Sequence, residues 1–250
     1  MKRAFLVAAL AACVLTPAAP ASAQVLDRDV PVEGAATLRI NVSGPVHLMP
    51  QSGLQTIKLH AVDYGPKTPP LHVTTAKSGS RLTLSVTGPS QNILPFVGAT
   101  GYELQINYPA SLKIDLREFT GRIHVDRVTA PMQLYNANGA IVVDDASAPL
   151  TAEADLGDIT VGSALGMIEL TCGTGNAIAT LASGWRGNLV RMESSTGNLT
   201  LNVPSGFRAR FDVTSASGNV SNPLRSTPHA PLVFMLAEQG NIAVSVSSAK

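Results

Sequence analysis

Apolar and polar residues alternate in short runs through the second half of the chain, and a glycine opens run after run. These glycines are Gly121, Gly139, Gly157, Gly175, Gly197, Gly218 and Gly240, spaced 18, 18, 18, 22, 21 and 22 residues apart, and each starts a pentad close to Gly-x-aliphatic-x-aliphatic. Ile123 and Val125, Ile141 and Val143, Ile159 and Val161, Leu199 and Leu201, and Ile242 and Val244 fall two apart. Period two puts them on one face of a strand, with Arg122 and His124, Asp158 and Thr160, and Asn198 and Thr200 on the other. In the pentad of Gly175 the large aliphatic is Ile178, one place late, which predicts a register shift there.

A second strand precedes each glycine. Seven residues before it stand Ile114, Met132, Leu150, Ile168, Val190, Phe211 and Val233, and five before it Leu116, Leu134, Ala152, Leu170, Met192, Val213 and Met235. Three before it, in the later units, are the small residues Ala154, Cys172, Ser194, Ser215 and Ala237. Two strands meeting at a glycine corner, at a period of about 20 residues, predict an all-β, single-stranded parallel β-solenoid resembling a right-handed β-helix. The register places Leu170 inward and Thr171 outward. Asn176, Asn198, Asn219 and Asn241, each following its glycine, should stack at about 4.8 Å per strand. The longer units add Ser183 to Gly187, Pro204 to Arg208 and Pro223 to Pro231 between strands, and such insertions emerge on one side, often the binding side.

Before residue 110 the pattern changes. Leu38 to Met49, Thr56 to Val62, Leu71 to Thr75, Arg81 to Val86 and Tyr102 to Tyr108 alternate as strands between Gly- and Pro-rich turns. Gly44-Pro45-Val46-His47-Leu48 hints at an early unit of the same kind. Residues 24–110 are read as a β-rich cap, an antiparallel or mixed layer over the open end, and 111–250 as the solenoid; together they form one continuous domain of about 36–250.

The first residues change the picture of where the protein works. Met1-Lys2-Arg3, an apolar run from Ala4 to Leu15 and Ala21-Ser22-Ala23 predict a signal peptide over 1–23, cleaved before Gln24, and hence a periplasmic or secreted protein. The apolar run is too short to span a bilayer. Leu10-Ala11-Ala12-Cys13 offers the rival reading of a lipobox, which would anchor the protein through Cys13. Without Lys2 and Arg3 the chain carries 16 basic and 17 acidic residues and no basic cluster, which argues against nucleic acid and anionic membrane surfaces as partners. Cys172 is then the single cysteine, so no internal disulfide can form. It lies on the apolar side of its strand, as a buried small hydrophobe would.

Tyr102-Glu103-Leu104-Gln105-Ile106-Asn107-Tyr108-Pro109, then Leu112-Lys113-Ile114-Asp115-Leu116 and the glycine pentads resemble the bacterial putative-adhesin domain family of unknown function, close to the autotransporter-adhesin head-like β-solenoid domains. The resemblance covers nearly the whole mature chain and implies export and adhesion. It implies no catalytic residues.

Candidate chemistry is sparse. Asp126 and Asp144 each follow their glycine by five residues and should stack, with Arg127 and Asp145 beside them. Carboxylates with an arginine could serve a polysaccharide lyase or hydrolase, whereas a solvated ladder in which Arg127 offsets both aspartates requires no activity. His47, His60, His72, His124 and His229 are scattered without metal-ligand spacing and are read as exposed, and no cofactor or metal is expected. No nucleophile elbow, phosphate-binding loop or dinucleotide fingerprint occurs. The residues therefore favour a non-catalytic exported scaffold or adhesin-like binding module over a polysaccharide-acting enzyme. The partner-binding candidates are Trp185, Arg186, Phe207, Arg208 and Arg225, which would meet an envelope glycan or an envelope protein; a filled core end is the competing role for Trp185 and Phe207.

Overall fold

The computed structural model describes residues 25–63, 71–87 and 102–247. The expected leader with Cys13 lies outside the described residues. Within them every regular element is a strand. The N-terminal strands are β1 (Val25–Pro31), β2 (Thr37–Val42), β3 (Val46–Gln51), β4 (Thr56–Asp63), β5 (His72–Ser78), β6 (Arg81–Thr87) and β7 (Tyr102–Pro109). The next seven are β8 (Lys113–Glu118), β9 (Ile123–Val128), β10 (Met132–Asn138), β11 (Ile141–Ala146), β12 (Leu150–Leu156), β13 (Ile159–Ala164) and β14 (Ile168–Thr174). The chain continues through β15 (Ala177–Leu181), β16 (Leu189–Thr196), β17 (Leu199–Pro204), β18 (Arg210–Ser217), β19 (Val220–Ser221), β20 (Leu232–Gln239) and β21 (Ile242–Ser247).

The strands form two mostly parallel sheets. One has the order β1-β4-β7-β3-β9-β11-β13-β15-β17-β21-β19 and the other β18-β20-β16-β14-β12-β10-β8-β2-β6-β5. From β8 onward successive strands alternate between the sheets, and like positions pair: Leu134 with Ala152, Ala152 with Leu170, Leu170 with Met192. Antiparallel pairing is confined to one end, where β1 pairs β4, β4 pairs β7 and β5 pairs β6.

Most of the predicted inward residues are the core, whereas Phe211, Val213 and Ser215 on β18 are only half-buried. Ile123, Val125, Ile141, Val143, Ile159, Val161, Leu199 and Leu201 are fully buried, as are Leu170 and the residues before the glycines from Leu150 to Met192. Thr171 is exposed. A fully buried Val, Leu or Ile contributes roughly 1.5–3 kcal/mol, so this shared interior dominates stability. The buried faces of both sheets belong to one apolar cluster running from Val30 to Val244, through residue 110 without a break.

Three details differ from the sequence reading. The register shift after Gly175 does not fall at Ile178: Ala177 and Ala179 point inward at full burial while Ile178 faces out, 38% exposed, and the shift comes further along, between the Val161–Ala179 and Ala164–Leu181 pairs. Up to Ala179 the backbone keeps its register because Ala177 pairs Ile159 and Leu199, and the small side chains simply fill less space. Secondly, β2 and β3 pair directly with β8 and β9, so Gly44 stands beside Gly121 as a full member of the stack. Thirdly, the final strands β20 and β21 insert between β16–β17 and β18–β19. Parallel strands with interchangeable apolar patterns do not encode their own order.

Candidate functional site

The outer face of the first sheet carries a row of polar side chains across five strands. Asp27 opposes His60, His60 opposes Gln105, Gln105 opposes His47, and His47 opposes His124. Burial of Val46 and Leu48 turns His47 outward, and burial of Ile123 and Val125 does the same for His124. The two imidazoles stack nearly parallel, with centroids 4.4 Å apart and 11° between planes. Asp126, two residues beyond His124 on β9, meets Nε2 of His47 through its Oδ1. Nε2 of His124 lies 3.2 Å from Oδ2 of Asp144 on β11, and Nδ1 of His60 lies 2.6 Å from Oδ1 of Asp27. The donor atoms of His47, His124 and Asp126 all fall within 4.8 Å of one another. The charge of Asp126 also reaches Tyr108, whose phenol is held above its ordinary range mainly by burial and further by that carboxylate.

This constellation corrects the sequence reading of the histidines as scattered. His47 and His124 each follow their glycine by three residues, a signal that becomes visible only when the pentad of Gly44 is set beside that of Gly121. It also changes the partners of the aspartates. Arg127 does oppose Asp145, but Asp126 and Asp144 bond to His47 and His124.

At the corners from Gly121 onward the residue three places before the glycine points inward, whereas at Gly44 the equivalent inward place is taken by Val42, which pairs with Glu118. In the first units that residue is Glu118 or Asn136, both fully buried. Oε1 of Glu118 accepts the Gly44 N–H at 3.0 Å, while its Oε2 is buried without a partner. Burial pushes the Glu118 carboxyl up to about 8, against the opposing pull of the Gly44 N–H. Asn136 donates from Nδ2 to the Gly121 carbonyl at 2.8 Å and accepts from the Asn138 N–H at 3.1 Å. Cys172 occupies the same position later in the chain, 1% exposed, its thiol raised to about 11 by burial and by the charge of Asp158. Such a thiol is protonated and inert at neutral pH.

The predicted partner-binding residues lie on the side where the long loops emerge. Trp185 is half-buried against the core, donates from Nε1 to the Gly166 carbonyl at 2.7 Å, and meets Phe207 edge to face at 5.6 Å between centroids. Phe207 in turn meets Phe211 at 6.4 Å. Trp185 and Phe207 are thus brought together and flank a hollow of about 220 Å³. Arg186 is exposed and lines a neighbouring groove of about 640 Å³ with Ser147, Leu165, Met167 and Asn188. Arg208 and Arg225 are exposed and line neither of these two hollows.

No family model matches the chain, and no curated protein matches it. Solved structures do. A crystal structure described as a putative adhesin from Bacteroides fragilis aligns at a TM-score of 0.51 with 16% identity, over 91% of this chain and 99% of that one. One described as a putative cell adhesion protein from Clostridium sporogenes aligns at 0.41 with 9% identity, over 90% and 100%. The first likeness shows a shared fold. Among the described residues no helix is long and apolar enough to cross a membrane.

Proposed function

We propose that the protein is an exported, non-catalytic binding module of the bacterial cell envelope, adhesin-like, built as a β-solenoid in which each strand pair forms one coil. The observation that carries this reading is the asymmetry of the stack. The glycine corners are tight and uniform, whereas the opposite connections vary in length and enclose the groove beside Arg186. A rigid scaffold with variable loops along one side suits recognition of an extended partner. The fold shared with the Bacteroides fragilis protein over nearly the whole of both chains is consistent with it. The signal peptide expected over 1–23 would deliver the module to the periplasm or beyond.

The partner class is an envelope glycan or an envelope protein, met by Arg186 and the loops around Trp185, Phe207, Arg208 and Arg225. The test is retention of defined envelope glycans and purified envelope proteins on the immobilised chain, repeated with Arg186→Glu. Retention that the charge reversal abolishes supports the reading. Shortening of a polysaccharide by the native chain that disappears when Asp126 and Asp144 are both changed to Ala would replace it with a lyase or hydrolase.

A further inference from the structure

We propose that His47, His124 and Asp126, with Asp144 as the fourth donor, form a binding site for a divalent transition-metal cation of the zinc type. The inference is independent of what the loop side binds. It rests on a juxtaposition created by the fold: residues 47 and 124 lie far apart in the chain, yet β3 and β9 set them directly opposite each other. Asp126 shares the strand and face of His124, and Asp144 reaches His124 from β11.

Two imidazole nitrogens and two carboxylate oxygens are a borderline donor set. They favour zinc, cobalt, nickel or copper over calcium or magnesium, which prefer all-oxygen shells. The donors come from three neighbouring strands whose buried residues fix the backbone, so the site is held on a rigid surface. Its side chains remain reachable from solvent: their exposures are 19% for His47, 31% for His124, 43% for Asp126 and 56% for Asp144. Ligand atoms around a tetrahedral zinc sit about 3.4 Å apart. The donor atoms of His47, His124 and Asp126, now within 4.8 Å of one another, would draw together to that spacing on binding. Because a metal lies in the plane of each imidazole it binds, the stacked rings must tilt out of their 11° arrangement toward a common centre. The carboxylates already placed against both Nε2 atoms mark where that centre falls.

The experiment titrates the purified chain with Zn²⁺, and with Co²⁺ as a visible probe. One Zn²⁺ per chain should bind saturably, raise the melting temperature with concentration, and leave Ca²⁺ without effect. Co²⁺ should develop the strong visible bands of a four-coordinate site. His124→Gln and Asp126→Asn should each weaken Zn²⁺ binding by roughly tenfold or more, with metal-free melting unchanged. His60→Gln, whose ring pairs with Asp27, should bind as the native chain does. In the unsubstituted protein, Zn²⁺ should move the imidazole NMR signals of His47 and His124 while those of His60, His72 and His229 stay fixed, a readout that needs no variant to fold. Absence of saturable binding up to millimolar Zn²⁺, or shifts spread evenly over the five histidines, overturns the site.

Discussion

Two stretches of the same stack treat the same corner in opposite ways. Around Gly44 and Gly121 the polar backbone groups of the corner are met from inside, by Glu118 and Asn136 in the core. From Gly157 onward they are met mainly from outside. The Asn176 N–H donates to Asp158 Oδ1, Asn198 to Asn176, Asn241 to Asn198 and Asn219 to Asn241, an unbroken ladder of side-chain acceptors. There the interior position is free to be Ala154, Cys172 or Ala237, although Ser194 and Ser215 still bond to the carbonyls of Gly175 and Gly240. A buried polar group is expensive and, if ionisable, sensitive to pH, whereas an exposed amide costs little and contributes little. One backbone can therefore be stabilised by two devices with very different consequences.

The largest effect should come from what both stretches share. Gly157 has φ +152°, and a Cβ built there would stand 2.1 Å from the Gly139 carbonyl oxygen, a backbone atom of the neighbouring corner. Gly157→Ala combines a backbone conformation costing about 1–3 kcal/mol with overpacking of similar size. Urea denaturation should show a loss of about 3–5 kcal/mol or failure to fold. A loss under about 1 kcal/mol would mean the corners are far more pliable than the stack implies.

Next comes Glu118, where the interior device leaves a pH signature. Its folded value of about 8 lies above the ordinary 4.5, so the native state holds a proton that the unfolded chain releases between those limits. Stability from this group is fully present below about pH 4.5, declines through the window by up to about 1.4 kcal/mol per pH unit, and is flat above pH 8. Glu118→Gln should remove that decline. Parallel stability–pH curves for the two proteins from pH 5 to 8 would place the carboxyl in a wetter setting than its burial indicates.

Asn136→Ala should cost about 1–3 kcal/mol, because the Gly121 carbonyl and the Asn138 N–H both lose their side-chain partner inside the protein. Ser194→Ala, which removes a single bond to Gly175, should cost less. If the two variants melt together, the interior amide has no special weight.

Much of this was legible in the sequence, and the exceptions have physical causes. The inward sets from Ile114 to Val244 followed from period two, apart from Phe211 and Val213, which are half-buried on the edge strand β18, and the Asn ladder followed from the residue after each glycine. Ile178 is deceptive because hydrophobicity alone does not give direction: Ala177 and Ala179, paired on both sides, set which face is inward. Glu118 and Asn136 break the pattern of small residues that marks the same position in the later units, and nothing local signals a polar group at a buried place. The histidine cluster required knowing that β3 adjoins β9 across more than 70 residues of intervening chain, including β4 to β7. No local pattern reports which parallel strands are neighbours, and the insertion of β20–β21 ahead of β18–β19 was hidden for the same reason. The aromatic pair of Trp185 and Phe207 was found, but its packing against the core depended on the loop path from Ser183 to Gly187.

The smallest effect should lie in the outer ladder, and Asn198 tests it at its middle. Its Oδ1 accepts the Asn241 N–H at 2.9 Å, while its own N–H and Nδ2 both donate to Asn176 Oδ1. Asn198→Ala removes one acceptor and one donor from a site open to solvent, so water can replace both. The net cost should be no more than about 1 kcal/mol, the worth of an ordinary exchanged hydrogen bond. The change should also be local. Hydrogen exchange at the Asn241 amide should speed up, while the Gly197 amide, bonded to the Gln239 carbonyl, keeps its protection because that ladder is backbone to backbone. A loss matching that of Asn136→Ala, or loosened exchange running along β17 and β21, would show that the outer ladder holds the strands together, and the division between an interior and an exterior device would collapse.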